Sequence, residues 1–431
     1  MLLIYTHKIT PRFTYTTRQV FTRILGIEIS YTTRVEDFIK HSGPKITYTR
    51  QPLQNEFFIR SHELLFQQGV EDMEIQMDAW DELPCFFRTG ERSNLPFDIL
   101  AASFYLLSRY EEYLPHVKDI HGRFPPRESM AYQHGFLRKP LVDLWAYKLL
   151  EVLRERFPDI GMASPSYRFN PVVDVTTSHC YAHRGFFRGM AGFMLDLSRL
   201  RLKRMWERIR VWFRPASDPY NNYEHLIALN QKYRLRTMFF FQFAEYSTYD
   251  KNVSPYNNAF RYLIKSVADY CIVSLAVSYT ASEDLEILKE EKKRLSEVLH
   301  RPVKYSRIRY NRVDIPHTYR SLIEAEFTQD YSLGYTHEIG FRASTCTPFF
   351  FYDIALESQQ PIKVCPFAFH DYALLKYTTE ESLWKDLDAI YQNVKSVNGR
   401  LIPVFSNELL GGDQKTDWLA LYEEILKRYH A

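Results

Sequence analysis

Cysteine is scarce in this chain, and no two cysteines are closely spaced. The five thiols, Cys85, Cys180, Cys271, Cys346 and Cys365, are odd in number and form no Cys-x-x-Cys pair. That pattern fits buried or incidental thiols in a reducing compartment rather than a disulfide framework. No run of about 18 apolar residues occurs, so no membrane span is expected. The apolar run at residues 1–5 stops at Thr6-His7-Lys8, too short for the hydrophobic region of a secretory leader. The cytoplasm is the expected location. An excess of one charge is lacking too: 55 Lys and Arg face 52 Asp and Glu, a formal net charge of +3. That is too small to imply a membrane by itself, and no nucleic-acid partner is expected. Also absent are Gly-x-Ser-x-Gly, a Walker loop, the dinucleotide glycine pattern and His-Glu-x-x-His, so those chemistries lose support.

Aromatic residues, by contrast, are plentiful at 16%, with 31 Tyr and 31 Phe. Carbohydrate-handling proteins often use exposed rings, although most large rings belong to cores. A length of 431 residues accommodates two units with separate cores. The first, residues 1–165, reads as α+β. Strands are expected at 2–5, 46–49 and 74–77, and helices at 20–25, 96–110 and 140–156. Pro158, Gly161, Ser164 and Pro165 punctuate the chain, which sets a boundary near residue 165.

Beyond it, apolar strand candidates at 172–175, 237–241, 271–277, 303–308, 362–369 and 401–405 alternate with helical stretches. Thr378-Thr379-Glu380-Glu381 reads as a capping box, and Asn398-Gly399 as that helix's stop. Fully apolar strands between helices argue for a parallel sheet covered by helices, an α/β fold.

Four segments carry a family resemblance. They are Asn170-Pro171-Val172-Val173-Asp174-Val175-Thr176, the Arg-bearing Tyr305-Ser306-Arg307-Ile308-Arg309-Tyr310, Asp330-Tyr331-Ser332-Leu333-Gly334-Tyr335, and Gly340-Phe341-Arg342-Ala343-Ser344-Thr345-Cys346. In this order they resemble the NodB-homology polysaccharide deacetylases, in particular a bacterial branch with an N-terminal accessory domain of unknown function. Residues 97–116 resemble that accessory domain. The resemblance implies an incomplete (β/α) barrel over residues 166–431, with its site at the strand C-terminal ends. It implies Asp174 as base, Arg307 as the arginine orienting it, and Asp330, Arg342, Tyr279 and Tyr335 as substrate-binding candidates.

Against that pattern, Thr176 stands where a second, metal-binding carboxylate is expected. Ala276 stands at the histidine of a His-Pro-Ser-Tyr sequence, of which Ser278 and Tyr279 remain. Arg309 replaces a histidine, and Ser406-Asn407-Glu408 replaces His-Asn-Glu. Each departure removes a ligand or proton carrier, and an inward guanidinium at Arg309 would repel a divalent cation. The expectation is a protein that binds or acts on N-acetylated glycans or their precursors, with a degraded metal site, no cofactor and little or no catalysis. The alternative is an active metal-dependent de-N-acetylase with relocated ligands.

Other readings of the residues stay open. Asp174 and Arg307 fit a structural ion pair as well as a site. Phe341, Tyr335, Phe349 and Phe350 fit a local core as well as a sugar platform. His179 and His183, four apart, are a candidate replacement metal pair on a helix face, and His370-Asp371 a candidate dyad. Residues 188–214 hold eight basic residues against Asp196 and Glu207. They read as a solvated helix over the barrel, or as a basic lid touching an anionic glycan or membrane surface.

Overall fold

The structure is a computed structural model that describes residues 1–161, 165–412 and 416–431. Ser164, part of the expected boundary, lies outside the described residues. The chain opens with β1 (Leu2–Thr6), β2 (Ile29–Thr32), β3 (Lys45–Thr49) and β4 (Phe57–Arg60). They form a parallel sheet in the order β2-β1-β3-β4. A hairpin, β5 (Met77–Trp80) and β6 (Leu83–Phe86), follows. The expected strand at 74–77 is thus displaced to begin at Met77, because Asp81, at φ +54°, forms the turn that fixes the pairing. The expected helix at 20–25 is a π-helical stretch, Arg18–Ile24.

Helix Ile99–Leu107 is buried along its whole length. Its N-cap, Asp98, accepts the N–H groups of Leu100 and Ala101 at 3.0 Å and the Tyr48 hydroxyl at 2.6 Å. Burial pushes the Asp98 carboxyl up to about 6 despite those donors. Helix Leu141–Arg156 packs Trp145, Leu149 and Leu153 into the same core.

The second unit is α/β, an incomplete (β/α) barrel. Its strands are β7 (Arg168–Phe169), β8 (Val172–Val175), β9 (Met238–Gln242), β10 (Ile272–Val277), β11 (Tyr305–Ile308), β12 (Gln329–Asp330), β13 (Phe349–Asp353), β14 (Ser358–Val364), β15 (Phe369–His370), β16 (Arg400–Leu401) and β17 (Pro403–Ser406). Nine of these form a curled sheet in the order β13-β14-β12-β11-β10-β9-β8-β17-β15. All pairs are parallel except β13 with β14.

The strand expected at 362–369 is two strands near opposite ends of this sheet. Pro366 lacks an N–H for a ladder, and residues 365–368 carry the chain across the gap, where Phe367 donates to Leu333 O and Ala368 to Ile402 O. Likewise 401–405 divides into β16, paired with β7, and β17, paired with β8. The helix after Thr379 runs Glu380–Ser396, and Thr379 caps it through the Ser382 N–H, so Ser382 rather than a glutamate occupies the reciprocal position.

Period-two alternation gives the barrel two faces. Val173 and Val175 join the outer core under the helices, while Val172, Phe240, Ala276, Tyr331, Phe367 and Val404 fill the interior. Asp174 therefore points inward, on the same face as Val172 and one layer nearer the strand ends.

Candidate functional site

Strand geometry alone brings the inward side chains together at the C-terminal ends. Ser406 is registered with Asp174, and Ala276 with Arg307. Above them opens a cavity of about 350 Å³ whose wall includes Asp174, Thr176, Ala276, Arg307, Arg309, His370, Ser406 and Glu408.

A continuous polar chain crosses its floor. Ser406 donates its N–H and hydroxyl to Asp371 Oδ2, at 2.5 and 2.7 Å. Asp371 Oδ1 lies 2.5 Å from His370 Nδ1, which also accepts the Tyr372 N–H at 3.3 Å. His370 Nε2 is 3.6 Å from Asp174 Oδ2. Arg307 Nε then sits 2.7 Å from both oxygens of Asp174, and its Nη1 donates to the carbonyl of Tyr331. The Arg307 guanidinium also lies 4.8 Å from the centre of the Phe367 ring.

These neighbours set the protonation states. Burial works to raise the Asp174 carboxyl, but the Arg307 guanidinium and His370 outweigh it and hold the group below the usual carboxylate range. For His370, burial favours the neutral ring, yet Asp371 and Asp174 prevail and its affinity for a proton rises. Thr176 donates to Glu408 Oε1 at 2.9 Å. Arg309 faces the cavity while reaching Gln242 Oε1 at 3.1 Å and, through Nε, the buried Asp250 at 3.6 Å.

The first unit supplies part of the rim, which sequence reasoning missed. Arg123 donates to Asp119 at 2.7 Å and to the Tyr310 carbonyl at 2.8 Å. His121 stacks on Tyr310 at 5.0 Å and 14°. The only signal in the sequence was Asp119 and Arg123 at a four-residue spacing, with no periodic pattern around them to mark a site. His337 and Tyr372 also line the cavity.

Other expected site residues lie elsewhere. Asp330 is 0% exposed and accepts from Ser306 and Ser332, so it braces the strand ends under the floor and offers a ligand no oxygen. Arg342 is 1% exposed and committed to Glu112. Tyr335 is buried against Arg342, with burial raising its hydroxyl to about 12. Tyr279 stands outside the cavity wall, stacked on Tyr249 at 4.1 Å and beside Tyr310. Phe341 and Phe349 belong to the core, and the carbonyl of Phe350 receives the Tyr15 hydroxyl from the first unit.

His179 and His183 do not share a helix face. They lie in the loop after β8, where His183 has φ +59°. Their rings meet edge to face at 5.0 Å, and burial lowers His179 to about 4.

The divalent cation that the family resemblance implies does not fit this donor set. Thr176 is engaged with Glu408, Ala276 has no donor, and Arg309 brings a positive charge. Among the described residues, no three His, Cys, Asp or Glu side chains are grouped so as to hold a metal ion.

Residues 2–158 match a protein family described as a family of unknown function (DUF7033). Among curated proteins, none matches the chain. Among solved structures, the chain is similar to a protein assigned as a polysaccharide deacetylase from Mycobacterium smegmatis. Identity is 14%, covering 63% of this chain and 87% of that one, with a TM-score of 0.40. It is also similar to Puue allantoinase, at 12% identity, 61% and 83% coverage and a TM-score of 0.37. A 4-alpha-glucanotransferase from Thermococcus litoralis follows at 13% identity, 61% and 36% coverage and a TM-score of 0.34.

Proposed function

We propose that this protein is a polysaccharide-deacetylase-like glycan-binding protein with little or no hydrolytic activity. In this reading residues 1–165 form an accessory unit and 166–431 the binding barrel. Asp174 and Arg307 orient the ligand, and N-acetylated glycans or their precursors are the ligand class. The observation that carries it is the wall beside Asp174. Thr176, Ala276, Arg309 and Ser406 stand there, so one guanidinium-bound carboxylate occupies a place where an activating cation would need several donors. Asn311, Thr336, His337 and Glu408 line the same cavity as Tyr310 and Tyr372, a combination suited to hydroxyls and an apolar sugar face.

A second reading, an active amide hydrolase, is favoured by His370. An imidazole placed between two carboxylates at the cavity floor is able to hold and deliver a proton. Calorimetric titration with N-acetylglucosamine oligomers, run beside an acetate-release assay with and without zinc, distinguishes the two. Binding without release is expected. Release that disappears in His370→Gln would establish the second reading, and no binding to any such oligomer would remove the first.

A further inference from the structure

The connection from β8 to β9 contains a helical hairpin, Phe186–Ser198 and Leu202–Phe213, joined by residues 199–201. Its inner contacts are specific. Arg208 pairs with Asp196 at 2.8 Å, and Phe193 lies 5.8 Å from Trp212. Gly189 and Gly192 have no side chain in the way where Trp212 and Arg208 approach. Those pairs run in opposite directions along the two helices, so the helices are antiparallel.

Each helix also has an apolar stripe that this packing leaves outside. Met190, Met194 and Leu197 recur at helical spacing on the first, and Leu202, Trp206 and Phe213 on the second. All six are exposed, Trp206 by 72% and Phe213 by 88%. Each stripe is rotated in the same sense, by a little over a quarter turn, from its helix's inner contact. In antiparallel helices that puts both stripes on one face of the hairpin.

Along this hairpin the charge is strongly one-sided. Eight basic residues from Arg188 to Arg214 meet only Asp196 and Glu207, and Asp196 and Arg208 are already paired with each other inside. Arg210 and Arg214 flank the stripe of the second helix, and Arg199 and Arg201 occupy the tip; all four are exposed. An apolar stripe bordered by long cationic side chains matches the boundary between anionic headgroups and acyl chains. A second copy of this face would set like charges against each other, and a soluble anionic polymer would leave the stripe in water. No helix among the described residues is long and apolar enough to cross a membrane, so the contact lies in the surface plane.

We propose that the hairpin docks this protein on an anionic lipid bilayer, with Leu202, Trp206 and Phe213 entering the headgroup boundary. The hairpin springs from the same end of the barrel as the cavity. Arg188 lies against Tyr246, just beyond the end of β9. Docking therefore holds the cavity mouth near the membrane surface, whatever ligand it takes.

The test is sedimentation of the full chain with vesicles of about three parts phosphatidylcholine to one part phosphatidylglycerol, against phosphatidylcholine alone. Binding to the anionic vesicles only is expected, together with a blue shift in tryptophan fluorescence. Trp206→Ser with Phe213→Ser, and separately Arg210→Glu with Arg214→Glu, should each weaken binding about tenfold or more. These side chains are exposed, and circular dichroism confirms that the variants remain folded. No binding by the wild type, or equal binding by folded variants, overturns the proposal. So does a dimer in solution that both apolar substitutions abolish, because the stripe is then a self-interface.

Discussion

Arg342 grips Glu112 across the junction of the two units, Nε to Oε1 at 2.8 Å and Nη2 to Oε2 at 2.6 Å. Glu112 also accepts from Arg109 Nε at 2.8 Å. Glu112 is thus shared by two guanidinium groups whose side chains are 1% and 2% exposed, and Arg109 has a second carboxylate partner in Glu111 at 2.6 Å. Burial alone would raise the Glu112 carboxyl, but the two arginines hold it below the usual range. Glu112→Gln keeps the shape and removes the charge, leaving the buried Arg342 without its carboxylate and Arg109 with Glu111 alone. A loss of about 3–5 kcal/mol is expected, read as a lowered urea midpoint. An unchanged midpoint would mean that water reaches the network.

A comparable cost is expected at the cavity floor. Arg307→Ala strands the Asp174 carboxylate and leaves the Tyr331 carbonyl without its donor, for about 3–5 kcal/mol. The double variant Arg307→Met with Asp174→Leu removes both charges and should recover much of that loss. Thermal melts of the single variant within a degree or two of wild type would show that the pair contributes little.

The parts legible in the sequence were those set by local pattern. Apart from Asp174 the run 172–175 is apolar, so its place as an inner strand followed directly. Arg307 was singled out by the family resemblance, on a strand expected at 303–308. That Asp330 and Arg342 are buried and paired was not legible, because a sequence motif fixes a residue's position along the chain and says nothing of whether its side chain is already satisfied. Ser332 and Glu112 satisfy them here. The rim residues His121 and Arg123 come from the other unit, in a loop with no period to read. The link from Asp371 to Ser406 depends on β15 and β17 lying side by side, a tertiary pairing invisible to local spacing.

Stability should fall as pH rises through the weakly acidic range, and Glu291 is one identifiable cause. Its carboxyl is buried in helix Leu285–Leu299 and accepts the Ser278 hydroxyl at 2.6 Å. Burial, only partly offset by the Ser278 donors, raises it from an ordinary 4.5 to about 7. The unfolded chain therefore releases this proton first, and the folded protein holds it until about pH 7. The stabilisation is complete below about pH 4.5 and is lost as pH rises through 7, amounting to about 3 kcal/mol. Glu291→Gln removes that titration. Denaturant midpoints at pH 5 and pH 8 should differ less in the variant than in the wild type by that amount. Parallel pH profiles would refute the assignment.

The sharpest check on the site is to rebuild the missing donors. Thr176, Ala276 and Ser406 all line the cavity within the first or neighbouring strand of Asp174 or Arg307. Thr176→Asp, Ala276→His and Ser406→His together would add a carboxylate and two imidazoles to a wall that now offers two hydroxyls and a methyl group. The wild type, incubated with zinc and desalted, is expected to retain well under one equivalent by elemental analysis, and to release no acetate from N-acetylated glycans. The rebuilt protein should retain zinc, because Asp and His are suitable donors for it, unless the Arg309 guanidinium repels the ion. Adding Arg309→His tests that term separately. Acetate release confined to the rebuilt proteins would mark the wild-type cavity as a binding site that lacks its activating cation. Near-stoichiometric zinc in the wild type, lost in Asp174→Asn, would show instead that ligands outside these positions serve the metal, and acetate release by that zinc-loaded wild type would show that this protein is an enzyme.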